Sequence, residues 1–247
     1  MKDKQKIKFS KLAMTLAVWL IVSSIEAQGA DRTGKYTVHG NGNKSCDAYL
    51  QLLPEKMNGI TSPSEVILKL TERHDIATWL RGFLTSYNKL KPDTYDIAGN
   101  TDFDGVNRLL NFYCKKNPRK SIAEAADWLT IELYPKRIKK HPDSMEITYK
   151  VYSYGTDSCG AYIKSWTNLD KYDQKFTSLI YAGWLNGYVT GFNLLKPNIF
   201  DIMGNTGLKT LLVWLHNYCK ENPHDRFADA VSELIINLYL KRLKKAP

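Results

Sequence analysis

The residues best suited to chemistry come in matched pairs. Asp96 and Asp201 each sit in an Asp-Ile-x-Gly-Asn-Thr loop, 105 positions apart. A carboxylate so placed could act as an acid or base, or hold a ligand. The same residues also make good turn chemistry: Asp and Asn bond nearby backbone, Gly takes positive φ, and Thr101 or Thr206 caps the following helix. Asn100-Thr-Asp102-Phe-Asp104-Gly105 has the alternating oxygens and the glycine that open a calcium loop. Asn111 stands where such a loop needs a bidentate glutamate. A helix start capped by Thr101, with Asp104 in its first turn, accounts for Asn100, Asp102 and Asp104 equally well. Five histidines (His39, His74, His141, His216 and His224) show no counterpart in the other half. No HExxH, GxSxG or phosphate-loop pattern occurs, so the chain reads as non-enzymatic and cofactor-free.

Those pairs belong to an internal duplication. From Trp79 through Lys140 the chain matches itself at an offset of 105, without a gap. WLRGFLTSYNKLKPDTYDIAGNT returns as WLNGYVTGFNLLKPNIFDIMGNT, and LNFYCKKNP as LHNYCKENP. Upstream, GNKSCDAYL meets GTDSCGAYI at an offset of 113, so the first copy carries extra residues between Cys46 and Trp79. The units span 35–140 and 148–247, joined around HPDSME (141–146).

Periodicity gives an all-α class: two tandem helical bundles, each opened by a short β-strand. KYTVHG (35–40) and ITYKVYSYG (147–155) alternate and end near glycine, a strand signal. A helix begins at each Ser-Cys pair. Ser62, Pro63 and Glu65 form a helix start with a capping box. Ile67, Leu70, Ile76, Trp79, Leu80, Phe83 and Leu84 follow at helical spacing. A third helix carries Val106, Leu109, Leu110 and Tyr113. The Asn-Pro pairs at 117–118 and 222–223 end one helix and lead into the last.

The N-terminus adds a compartment. MKDKQKIKFSK, an apolar run from Leu12 to Val22 and the small residues beyond it read as a secretory signal peptide over 1–27. The apolar run falls short of the roughly 20 residues that span a bilayer. An uncleaved anchor is the other reading. After cleavage no transmembrane segment is expected, and the chain goes to the periplasm or is secreted. Four cysteines in such a chain imply disulfides. They allow three connectivities; the repeat selects Cys46–Cys114 and Cys159–Cys219. Each bridge is worth about 4 kcal/mol at most in the chain-entropy model. Free thiols or zinc are the alternatives, but zinc sites favour closely spaced ligands, which are absent.

The full chain carries a formal net charge of +10. KRIKK (136–140) and KRLKK (241–245) close the two units. Cations there complement helix C-termini, or face acidic partners or anionic lipid. Nucleic acid is not the expected partner of an exported chain.

VNRLLNFYCKKNPRKSIAEAAD (106–127) and LLVWLHNYCKENPHDRFADAVS (211–232) resemble the C-terminal part of the periplasmic HdeA/HdeB acid-stress proteins. SCDAYL and SCGAYI resemble that family's first cysteine region, whose disulfide joins these two places. Gly187-Tyr188-Val189-Thr190-Gly191 is similar instead to the Gly-Tyr-x-x-Gly helix of Tai-type immunity proteins of type VI secretion; the first unit has Gly82-Phe83-Leu84-Thr85-Ser86. Duplication departs from both families. The first resemblance implies a chaperone that loosens in acid and holds unfolded clients. The second implies an immunity protein that neutralises a toxin in the periplasm. Either way the partner is a protein. Trp79, Phe83, Trp184 and Tyr188 are the candidate partner-binding residues, and they equally suit a helix core. The two repeats either pack as a pseudo-dimer or hang apart; the sequence is compatible with both.

Overall fold

The computed structural model describes residues 30–31, 33–140, 149–167 and 171–247. The expected signal peptide, the linker around 141–146 and His141 lie outside the described residues. Eight α-helices occur among the described ones: α1 (Cys46–Leu50), α2 (Pro63–Leu90), α3 (Phe103–Lys116), α4 (Ile122–Leu133), α5 (Cys159–Thr167), α6 (Lys171–Leu195), α7 (Leu208–Glu221) and α8 (Phe227–Leu238). Residues 35–140 supply α1–α4 and are called the first half; 149–247 supply α5–α8, the second half.

Local chemistry explains most of the helix starts. Ser45 Oγ accepts from Ala48 N (3.2 Å) to cap α1, and Ser158 Oγ accepts from Ala161 N (3.1 Å) at the start of α5. Ser121 and Glu124 form a capping box at α4. The box expected at Ser62 does not form: Ser62 keeps its place before Pro63, but its hydroxyl meets that of Ser64 (2.9 Å) instead of the backbone. Asp102, not Thr101, caps α3, and Gly207, not Thr206, precedes α7.

Disulfides join Cys46 to Cys114 and Cys159 to Cys219. Each fastens the first short helix of its half to the end of the third. Backbone bonds reinforce this: Cys46 N donates to Lys120 O and Cys159 N to Asp225 O, both at 2.7 Å.

No strand forms among the described residues, which corrects the expected β-strand at each start. Residues 35–39 and 149–152 are extended, and isolated bridges are the only β pairing present. Their alternation has another cause. Each extended arm lies across the opposite half and spends its backbone groups there. Thr37 N donates to Phe200 O (2.7 Å) and His39 N to Thr190 Oγ1 (3.0 Å). Reciprocally, Lys150 N donates to Tyr95 O (2.8 Å) and Tyr152 N to Thr85 Oγ1 (3.1 Å).

The long helices α2 and α6 meet at glycines. A Cβ on Gly82 would stand 2.0 Å from Trp184 O, and one on Gly187 would stand 1.9 Å from Trp79 O. No real Cβ tolerates such a distance, so only glycine lets these backbones approach. Gly183 faces Asp75 and Thr78, Gly187 faces Trp79 and Phe83, and Gly191 faces Phe83 and Ser86. The pairs advance in one direction along both helices, which therefore run parallel. At about 1.5 Å per residue, α2 is roughly 42 Å long. Its C-terminal part is buried from Ile76 to Asn88 over much of its circumference, while none of its residues before Ile76 is buried. Ile67 and Leu70, expected on the buried face, are accordingly 64% and 48% exposed.

Two hydrophobic cores result. One gathers Trp79, Phe83, Ile97, Leu110 and Leu129; the other gathers Trp184, Tyr188, Ile202, Leu215, Phe227 and Leu234. Among the described residues, no helix is long and apolar enough to cross a membrane.

Candidate functional site

The Asp96 and Asp201 loops are where the halves hold each other. Asp96 Oδ1 accepts from Ala98 N (2.9 Å), and Asp201 Oδ1 from Met203 N (2.9 Å), closing the turn that the Asp-Ile-x-Gly pattern forecasts. Gly99 and Gly204 complete it at φ +58° and +55°. Their missing Cβ atoms leave room for Lys136 O and Lys241 O, which a Cβ would approach to 2.2 and 2.5 Å. The basic runs thus have a structural task. Ile138 and Leu243 pair through their backbones with Asp96 and Asp201, and the arginines beside them lie over Tyr134 and Tyr239.

Each aspartate is only 7% exposed and takes a second donor from the opposite half's arm. Tyr152 OH donates to Asp96 Oδ1. His39 Nε2 meets Asp201 Oδ1 at 2.9 Å. At the 113 offset His39 and Tyr152 are equivalent, so His39 does have a counterpart, in a different residue type. Burial, then the bond to Asp96, push the Tyr152 phenol well above its ordinary range, so it keeps its proton and donates.

Four further residues in these clasps escaped the sequence reading. Asn88 Oδ1 accepts from Ile97 N (2.8 Å) while its Nδ2 donates to Lys150 O (2.9 Å). Asn193 repeats this with Ile202 N (2.8 Å) and Thr37 O (3.0 Å). Thr85 and Thr190 accept from the arms as described above. All four are fully buried, and all four are identical between the halves. Polar identity within an apolar helical stretch was the signal that could have found them.

Trp79, Phe83, Trp184 and Tyr188 are at most 1% exposed. Trp79 stacks on Phe83 (centroids 5.5 Å apart) and Trp184 on Tyr188 (5.3 Å). The indoles donate inward, Trp79 Nε1 to His39 O (2.8 Å) and Trp184 Nε1 to Tyr152 O (2.9 Å). In the folded chain these four side chains build the core and anchor the arms; they form no surface. At the calcium-like loop, Asp102 Oδ1 accepts from Gly105 N (2.6 Å) and lies 3.8 Å from Arg108 Nη2. Among the described residues no group of three or more His, Cys, Asp or Glu side chains converges as a metal site.

The surface is where the halves differ. Trp166, Leu208, Leu212, Val213 and His216 line an apolar cleft of about 540 Å³ along α5 and α7. Burial, then the charge of Lys220, lower the His216 pKa. Phe103, Asn107, Arg108 and Asn111 occupy the corresponding places on α3. There Asn111 accepts from Tyr49 OH (2.6 Å), and the nearby cleft of about 230 Å³ is rimmed by Arg73, His74 and Arg81. Compared with protein-family models, curated proteins and solved structures, the chain matches none.

Proposed function

We propose that the chain is a non-enzymatic, protein-binding module of the periplasm, built from a duplicated helical unit whose copies pack as a pseudo-dimer. Its best-supported role is that of an immunity-type protein that captures a toxin on a preformed surface. The observation that carries this reading is the contrast between interior and cleft. The four candidate aromatic residues are locked inside by stacking, indole hydrogen bonds and reciprocal arms. The apolar cleft at Trp166, Leu212 and Val213 is already open in the folded state. Exposed apolar surface with a polar surround is the usual mark of a protein contact.

The test is co-expression in the periplasm with the products of the genes neighbouring this one, scored for a toxin that the chain neutralises. The wild type protects and forms an isolable complex, while Leu212→Asp with Val213→Asp fails to protect yet keeps both disulfides. Loss of neither protection nor complex formation would count against the cleft; no protective effect at all would count against the immunity role.

An acid-activated chaperone is the second reading, supported by carboxylates that protonation would unpair. Desolvation raises the Asp93 pKa, but bonds from Tyr134 and Arg137 and the Arg137 charge outweigh it and hold the group low. Bonds from Lys120 and from Ser121 N lower Glu124. Such groups stabilise the fold above the ordinary carboxylate range and cease to do so as pH falls through their own lower values. Suppression of client aggregation between about pH 2 and 4, where acid-loosened states form, separates this role from the first.

A further inference from the structure

The two basic corners are built alike and differ at one decisive residue. In the first half, Arg137 lies over the Tyr134 ring (3.6 Å), donates Nη1 to Tyr134 O (2.7 Å) and pairs Nη2 with Asp93 Oδ2. In the second half, Arg242 lies over Tyr239 (3.8 Å) and donates Nη1 to Tyr239 O. The residue equivalent to Asp93 is Asn198, which carries no charge. Among the described residues Arg242, Lys244 and Lys245 form no ion pair. Asn198 also adopts φ +61°, a conformation Asn accepts more readily than most residues and one that Asp93 does not share.

Arg242, Lys244, Lys245, Asn198 and Thr33 line a cleft of about 620 Å³. Among the described residues no Asp or Glu lines it. Asp31, bonded to the lining residue Thr33, is 6% exposed and directs its oxygens to Thr33, Lys35 and Ala246. A guanidinium held on Tyr239, with Nη2 outside that bond, beside two exposed ammonium groups is a donor set that suits a phosphate: Nη2 can donate to an oxygen and the lysines neutralise the remaining charge.

We infer that this cleft is a binding site for a phosphate group, present in the second half and switched off in the first by Asp93. The site is independent of the apolar cleft and of the protein-capture role. A phosphate monoester and an anionic lipid headgroup offer the same chemistry, and the experiment distinguishes them.

Titration calorimetry of the full chain with inorganic phosphate at low ionic strength reads the site directly, and co-sedimentation with phosphatidylglycerol against phosphatidylcholine vesicles reads the headgroup. Asn198→Asp installs the carboxylate of the first half and should weaken binding by about tenfold, the scale of one charge-assisted hydrogen bond. Lys244→Gln with Lys245→Gln, both exposed, should weaken it similarly without touching the fold; Lys139→Gln with Lys140→Gln should not change it. Binding to phosphate alone assigns a soluble ligand, and binding to phosphatidylglycerol that Asn198→Asp abolishes assigns a headgroup. Neither kind of binding in the wild type would overturn the proposal. So would wild-type affinity in the Lys244/Lys245 double variant.

Discussion

Asp96 and Asp201 occupy the same place in the two halves, yet one accepts from a phenol and the other from an imidazole. The backbone around them is the same: an Asx turn, a glycine at positive φ and a basic segment paired behind it. The requirement at each position is therefore an acceptor turned toward the incoming arm, and any arm residue of adequate reach can satisfy it. The donors differ in their surroundings: Tyr152 is 9% exposed, whereas the His39 side chain is 17% exposed. The surfaces diverge further, with an apolar cleft and an unneutralised arginine in the second half against polar residues and a paired arginine in the first. The halves agree at the turns, the disulfides and the buried Thr and Asn residues, and differ most at the surface.

The largest test of that interior equivalence is the disulfides. The bridges close separations of 68 and 60 residues. Replacing either pair by alanine should cost about 4 kcal/mol as an upper value, nearly the same in both halves. Urea unfolding that shows one bridge to be dispensable would break the symmetry. Gly82→Ala and Gly187→Ala come next. Each Cβ would collide with a backbone carbonyl of the other helix, so each should cost about 3 kcal/mol, the upper end for overpacking. Their effects should match, because the contacts are reciprocal.

The clasps are where the halves should separate. Tyr152→Phe leaves the buried Asp96 short of a donor and should cost about 2 kcal/mol. His39→Phe should cost less, about 1 kcal/mol, because the His39 side chain is 17% exposed and water can take over part of its role. Double-mutant cycles with Asp96→Asn and Asp201→Asn would rank the two couplings.

The smallest effect is on pH dependence. Asp93 has a lowered pKa, so its contribution is present above about pH 4 and lost as pH falls through its folded value. The carboxylate side chain is 46% exposed, and screening should keep the contribution under about 0.5 kcal/mol. Asp93→Asn should flatten the stability curve between pH 5 and 2 by that amount. Burial raises the Asp75 and Asp127 pKa values, so these groups act with the opposite sign: their penalty is relieved as pH falls through their folded values.

Much of this was legible in the sequence. Helical spacing, the Asn-Pro breaks and the paired cysteines carried the elements and the bridges, because each is a local signal or one doubled by the repeat. The Asp-Ile-x-Gly turn was legible for the same reason. The arms were not. Alternation in 35–40 marks an extended segment but not its partner, which here is a helix and a loop in the opposite half. Gly82 and Gly187 stood in plain view as identical residues, but a glycine inside a helix does not announce what approaches it. The four candidate aromatic residues suited surface and core alike from spacing alone; burial between two long helices decided the matter. Asn198 gained meaning only once Arg137 was seen to bind Asp93.

The reciprocal arms and the glycine contact of α2 with α6 should make the two halves unfold as one cooperative body. Differential scanning calorimetry of the disulfide-intact chain tests it most directly. One cooperative body gives a single transition with equal calorimetric and van't Hoff enthalpies, shifted as a whole by Gly82→Ala. Two resolved transitions, with Gly82→Ala moving only one of them, would contradict it.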